Sequence, residues 1–261
     1  GNEIDSISNK VNGDVSLYGH ITNKPDTGGE INGINAIDFD KRSDNNIEKI
    51  TAYEGGRNNQ TWTPATEDGR PGEVRDVFVI MVARLDTQLR NTFPFGLGWG
   101  DHFPWDNGSI FWNFSDNRKA ASMIKAGETA LLGLQFSVTE GFQNVFKNGV
   151  SILSGPRSSP TNANGSFFFP ATNAASGWGS DWTLGEMIVS RGVLSQDTRQ
   201  KMEGYLAQKW KLKDFMPITH PYLSAYPNFR LLDKNGEDVD DFTFSKNEDN
   251  SSLIIGFTPS E

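Results

Sequence analysis

Two stretches of this chain combine aromatic rings with hard oxygen donors, and those are the places where its residues could do chemistry. Residues 93–108 read FPFGLGWGDHFPWDNG and residues 177–182 read GWGSDW. Both carry Gly-Trp-Gly, followed directly or after one residue by an aspartate. Trp99, Trp105, Trp178 and Trp182 offer flat faces that can stack on the apolar side of a sugar ring or grip a peptide side chain. Asp101, His102, Asp106, Asn107 and Asp181 supply polar contacts, and the glycines let backbone approach a ligand closely. Asp101, Asp106 and Asn107 are also suited to calcium, which takes six to eight oxygen ligands, although their spacing is not that of an EF-hand. A second reading stays open: the tryptophans plug the ends of a sandwich and the aspartates make turns. Taken jointly, the two stretches favour binding, because loops at the ends of a rigid scaffold are where recognition is usually placed.

Other chemistries find less support. A retaining glucanase needs two carboxylates about 5 Å apart, and no strand here carries such an alternating acidic set; Glu3 and Asp5 sit in polar sequence near the start. Glu186 is a lone carboxylate in an apolar run and reads as a structural hydrogen-bonding residue. His20, His102 and His220 are scattered along the chain. There is no Gly-x-Ser-x-Gly elbow and no glycine-rich phosphate cradle leading into a helix. No catalytic residue is therefore assigned. Asp38, Asp40 and Asp44, with Asp38 and Asp40 on one face of a strand, could join a calcium site or be solvated. Asp233, Asp238, Asp240 and Asp241 could clamp a neighbouring module through calcium or form a solvated acidic loop.

Composition narrows the classes. The chain has 261 residues, enough for one large β domain. Only 36% are hydrophobic, but 18 Phe, 7 Trp and 5 Tyr can build a core from few positions. The net charge is −9, with no basic patch to meet a phosphate backbone, so nucleic acid is not an expected partner. No apolar run approaches the roughly 20 residues of a membrane helix, so membrane insertion is not expected either. Cysteine is absent, which removes disulfides, zinc-thiolate sites and thiol nucleophiles. The chain opens in polar sequence with no leader pattern, which is compatible with a leader lying outside it.

The elements that must position these residues are short apolar runs between Gly, Asn, Asp, Ser and Pro clusters, the texture of an all-β sandwich or barrel. Residues 77–82 (VFVIMV) read as a central strand covered on both faces. Further strands are expected at 109–114, 130–138, 144–147, 150–153 and 182–189. Lys147-Asn148-Gly149-Val150 supplies a tight Asn-Gly hairpin turn, and Gly185 marks a bulge or a close backbone approach. Spacing predicts one helix over 196–211, capped by Ser195, with Asp197 and Lys201 paired at i,i+4 and an apolar stripe of Thr198, Met202, Tyr205, Leu206 and Trp210. Pro217 bars continuation. Residues 154–172 read as a long loop, and 253–257 as a last short strand.

Residues 32–40 (NGINAIDFD) and the Val145–Gly149 hairpin resemble laminin-G-like domains. Most specific is the block of Gly185-Glu186-Met187-Ile188-Val189, Leu194-Ser195, Tyr205-Leu206-Ala207-Gln208-Lys209-Trp210 and His220-Pro221-Tyr222, which is similar to the ending of the bacterial variety. The resemblance covers roughly residues 14–222. It implies a two-sheet antiparallel jelly-roll sandwich, concanavalin A-like, with one C-terminal amphipathic helix over residues 1–222. Residues 223–261 would be an appended β tail or the start of a following module. Such domains are mostly binding modules, sometimes with calcium, and many bacterial copies sit in large secreted adhesins. Fold alone does not select among these roles. The expectation is a non-catalytic, extracellular or cell-surface module that takes a glycan or other cell-surface ligand with calcium assistance, beside neighbouring modules of a larger protein. A calcium-dependent peptide-binding domain is the close alternative, and a glycoside hydrolase or polysaccharide lyase the more distant one.

Overall fold

The computed structural model describes residues 6–8, 16–19, 25–43, 46–47, 50–51, 73–74, 76–87, 124–157, 161–162, 168–169 and 181–224. The protein is an all-β jelly-roll sandwich with one α-helix among these residues. Its main layer is a seven-stranded sheet, with strands β1 (Asp26–Ile31), β2 (Ile34–Phe39), β3 (Asp76–Leu85), β4 (Thr129–Ser137), β5 (Phe142–Lys147), β6 (Val150–Pro156) and β7 (Trp182–Arg191). Their spatial order is β6-β5-β4-β3-β7-β2-β1, and every pair is antiparallel. Strand β7 therefore returns from late in the chain to lie between β3 and the early β1–β2 hairpin. A four-stranded sheet joins Ser6–Ser8, Ser16–Gly19, Ile50–Thr51 and Phe168–Phe169 in that order.

The central strands are apolar on both faces because both are covered. From Val77 to Ala83, β3 is at most 1% exposed at every position. Phe78, Ile80 and Val82 on one face join Leu131, Ile188 and the helix residues Met202, Leu206 and Trp210 in one core cluster. The alternate residues Val77, Val79, Met81 and Ala83 point to the opposite face and are equally buried. Each large side chain fully withdrawn from water contributes about 1.5–3 kcal/mol.

Local chemistry sets the corners as expected. Asn148 and Gly149 have φ of 48° and 75°, the left-handed pair that a tight hairpin requires, and Asn32 and Gly33 repeat it between β1 and β2. The Asn148 side chain also accepts from the Leu131 N–H at 2.9 Å, which ties the hairpin to β4. Gly185 fulfils both readings: the β3–β7 register shifts between Leu184 and Glu186, and a Cβ there would lie 2.9 Å from Trp210 Cη2.

Helix α1 spans Gln196–Lys209. Ser195 Oγ accepts from the Thr198 N–H at 3.1 Å, and Lys201 pairs with Asp197 at 2.7 Å. The helix stops two residues earlier than the spacing predicts. Lys211 adopts φ 55°, its N–H bonds to Gln208 O at 3.4 Å, and the Leu212 N–H bonds to Ala207 O at 2.7 Å. This left-handed closure satisfies the last carbonyls without a glycine. Within the loop expected over 154–172, the described residues include the end of β6 at Pro156, and Thr161–Asn162 pairs with Glu73–Val74. The strands expected at 109–114 and 253–257, the acidic tail, Asp44, Glu3, Asp5 and His20 lie outside the described residues.

Candidate functional site at the paired ends of two strands

Of the residues singled out for binding, Trp99, Asp101, His102, Trp105, Asp106, Asn107 and Trp178 lie outside the described residues; Asp181 and Trp182 are described. The structure also describes the strand ends that lie nearest the two stretches in sequence. Strand β3 ends at Leu85, with the first stretch starting eight residues later; strand β7 begins at Trp182, the last residue of the second. These two ends adjoin. Trp182 is the register partner of Leu85. The Asp86 N–H donates to Asp181 O at 2.9 Å, and the Asp181 N–H donates to Thr87 Oγ1 at 3.2 Å. From the other side, the Leu85 carbonyl accepts from the Gly127 N–H at 2.7 Å, and the Leu85 N–H donates to Glu128 O at 3.2 Å.

A side-chain network braces this junction. Thr183 Oγ1 donates to Asp86 Oδ2 at 2.7 Å, and Arg84 Nε donates to Asp86 Oδ1. The same guanidinium donates to Thr183 Oγ1 at 3.0 Å and to the Glu30 carbonyl at 2.6 Å. One planar fork thus links β1, β3 and β7, geometry that lysine could not reproduce. The Arg84 side chain is 33% exposed, so solvent screens the ion pair and its value is about 1 kcal/mol or less. Its role is positional: it fixes the angle at which the chain leaves β3. Arg84, Thr87 and Thr183 were not read from the sequence as site residues. The available signal was a charged and hydroxyl-bearing run, Arg84 to Thr87, breaking the apolar pattern of β3 at one strand end.

Asp181 is half-buried at the junction. Trp182 is not a rim residue. It is 0% exposed and, four positions after Trp178, belongs to the core. Its register partners Leu85 and Phe39 are equally buried, so it lies on the sheet face away from α1 and plugs the end of the sandwich. The alternative reading of the tryptophans holds for this one, because the first residue of a central strand inherits the burial of its neighbours. Asp38 stands opposite Thr183, and Asp26 opposite Asp38. Among the described residues no set of three His, Asp or Glu side chains is disposed to hold a metal ion.

The polar residues on the helix side are structural. Glu186, 0% exposed, accepts from Trp210 Nε1 at 2.9 Å and pairs with Lys209 Nζ at 3.0 Å. Burial pushes its carboxyl above the usual glutamate range, against the opposing pull of Lys209 and the Trp210 hydrogen bond. Glu203 pairs with Arg199 and with His220 Nε2, the latter at 3.1 Å. The Tyr222 N–H donates to His220 Nδ1 at 3.4 Å, so Nδ1 is the acceptor and Nε2 carries the proton toward Glu203. His220 and Glu186 thus hold the helix and its following segment to the sheet.

No family model matches the chain, and no curated protein matches it. Solved structures do. A GH54 α-L-arabinofuranosidase aligns with a TM-score of 0.51 at 13% identity, over 77% of this chain and 50% of that one. A botulinum neurotoxin type G receptor-binding domain aligns at 0.44 and 12% identity, over 82% and 52%. The CBM40 of a Ruminococcus gnavus IT-sialidase, bound to α2,3-sialyllactose, aligns at 0.36 and 12% identity, over 48% and 80%. The chain spans about half the length of the first two. At these identities the shared property is the fold, and no helix among the described residues is long and apolar enough to cross a membrane. What the chain shares with the arabinofuranosidase is thus the β-sandwich fold.

Proposed function

We propose that this protein is a non-catalytic ligand-binding module that takes a glycan at the rim formed by its two Gly-Trp-Gly stretches, with calcium bridging part of the contact. The observation that carries this reading is the junction of Asp86, Thr87 and Asp181, held by hydrogen bonds of 2.9 and 3.2 Å. The described strand ends nearest the two stretches in sequence adjoin, and in this reading Trp99, Trp105 and Trp178 would converge on a single ligand. Asp101, Asp106, Asn107 and Asp181 would supply hydroxyl acceptors, the first three doubling as calcium ligands. Trp182 is the floor beneath them rather than a contact. The setting proposed is extracellular, as one module of a larger surface or secreted adhesin in which repetition raises a modest affinity through avidity.

A glycan array run with calcium and repeated with chelator tests this. Binding that chelation abolishes and Trp99→Ala removes supports it. Calcium-dependent capture of a peptide, with no sugar bound, would move the ligand class but keep the site. Turnover of a polysaccharide would replace the reading with a hydrolase or lyase. Failure to bind any ligand, with Trp99→Ala destabilising the fold, would leave a structural spacer.

A further inference from the structure

The segment after helix α1 presents apolar side chains to solvent from a firmly held backbone. Ile218 is 96% exposed and Phe215 59%, and Val150, at the tip of the β5–β6 hairpin, is 48% exposed. They share a corner: a Cβ on Gly149 would lie 2.8 Å from Met216 Cε and 3.2 Å from His220 Cδ2. This corner is fastened at several points. Asn32 Nδ2 donates to Trp210 O at 2.8 Å, and Lys211 Nζ donates to Asn32 O at 3.0 Å. The Phe215 N–H bonds to Leu212 O at 3.0 Å, the His220 N–H to Pro217 O at 2.8 Å, and His220 is tied to Glu203. Phe215 and Ile218 are therefore held outward by a braced turn.

Charge gives the corner a sign. Residues 209–224 contain Lys209, Lys211 and Lys213 against Asp214 alone, in a chain whose net charge is −9. Lys211 and Lys213 are exposed. The opposite character appears a short way downstream: residues 233–244 read DKNGEDVDDFTF, with Asp233, Glu237, Asp238, Asp240 and Asp241 beside Val239, Phe242 and Phe244.

We propose that this basic, apolar corner is the docking surface for residues 233–244 of the same chain, with Phe242 and Phe244 covering Ile218 and Phe215 while the carboxylates face Lys211 and Lys213. The reach is sufficient, since the nine residue steps from Ser224 to Asp233 span up to about 30 Å when extended. The tether also makes the encounter intramolecular, which favours this occupant over a free peptide of the same composition. Most of the attraction comes from the apolar contact, and the exposed ion pairs add a smaller, salt-sensitive part.

Hydrogen–deuterium exchange on the full 261-residue chain tests this. The amides of residues 237–244 are expected to exchange at least about tenfold more slowly than in an unstructured peptide of that sequence. Ile218→Asp, at a side chain too exposed to matter for folding, should remove that protection; Lys213→Glu should reduce it. Protection of β3 should stay unchanged in both variants. Several results would overturn the proposal. One is an unprotected tail in the wild type. Another is tail protection that Ile218→Asp leaves intact. A dimer seen by light scattering and dissociated by Ile218→Asp would assign the corner to a second copy. Co-sedimentation with phosphatidylserine vesicles, lost in Ile218→Asp, would assign it to a membrane surface.

Discussion

The start and the middle of strand β7 use the same residue types to opposite purposes. At its start, Asp181 and Asp86 lie at a partly exposed junction where backbone hydrogen bonds and Arg84 set the exit of two chain segments. In its middle, Glu186 is sealed under Trp210 and Lys209, and the neighbouring Glu203 is sealed under Arg199 and His220. Burial separates the roles. A carboxylate withdrawn from water must be matched inside the protein, and breaking such a match is costly. A partly exposed carboxylate such as Asp86 keeps some solvent while Arg84 and Thr183 hold it in place. Aromatic residues divide in the same way: Trp210 and Trp182 are both 0% exposed and hold the fold. Trp99 and Trp178 are the ones proposed for recognition.

Breaking the helix side should have the largest effect. Trp210→Ala removes the ring that lies on Gly185 and takes the Nε1 donor from a buried carboxylate, so a loss of about 3–5 kcal/mol is expected by chemical denaturation. A loss under about 1 kcal/mol would show that this side is not the clamp described. Next is Glu203→Leu, which strands Arg199 and the buried His220 ring and should cost about 3 kcal/mol. Its check is the same denaturation curve, with Arg199→Met added to the Glu203→Leu background. Recovery of stability in the double variant is expected, because the stranded charge is then gone.

Gly185→Ala sharpens the comparison with a smaller change. Its Cβ would sit 2.9 Å from Trp210 ring carbons, and overpacking of this kind costs about 1–3 kcal/mol. A melting temperature equal to wild type would mean the ring shifts freely. At the rim, Asp86→Ala should cost only about 1 kcal/mol yet weaken ligand binding, because it frees Arg84 and Thr183 from the junction. Equal losses of stability and binding, converted to free energy, would erase the distinction between the two regions.

The smallest expected effect is on pH dependence. The Glu186 carboxyl is held above its usual range, chiefly by burial. The native state therefore binds more protons than the unfolded chain between the ordinary glutamate value and the raised one. Stability should fall as pH rises through that window and level off above it. Glu186→Gln should flatten that slope; an unchanged slope would assign it to other groups. Asp197 acts with the opposite sign: Lys201 and Tyr222 hold its carboxyl below the usual range, so its contribution is present above that range and is lost as pH falls.

The fold was legible where short-range chemistry dictates it. Val77–Val82 declared a doubly covered strand by lacking any alternation, Asn148-Gly149 declared a hairpin, and Ser195 with the 3.6-residue stripe declared the helix. Gly185 could be read as a bulge or a close approach, though only the structure shows Trp210 as what approaches. The closure at Lys211 was not legible, because a lysine in the left-handed region is chosen by Leu212 and the core beneath it rather than by its own preference. The site was half legible. The aromatic and acidic stretches stood out by composition, but the junction of the strand ends nearest them depends on β7 pairing with β3, a contact about a hundred residues apart in sequence. Trp182 misled for the same reason. The strand expected from Trp182 is present, but the reading of Trp182 as a ligand contact meets a side chain buried beside Leu85.

Trp178 and Trp182 stand four residues apart and are assigned opposite roles, so the paired alanine variants give the sharpest test, each scored for melting temperature and for glycan binding in calcium. The account predicts that Trp178→Ala loses binding with its melting temperature unchanged, while Trp182→Ala melts several degrees lower. If Trp178→Ala instead destabilises the fold while its glycan affinity stays at the wild-type level, the rim is a plug and the recognition site is not there.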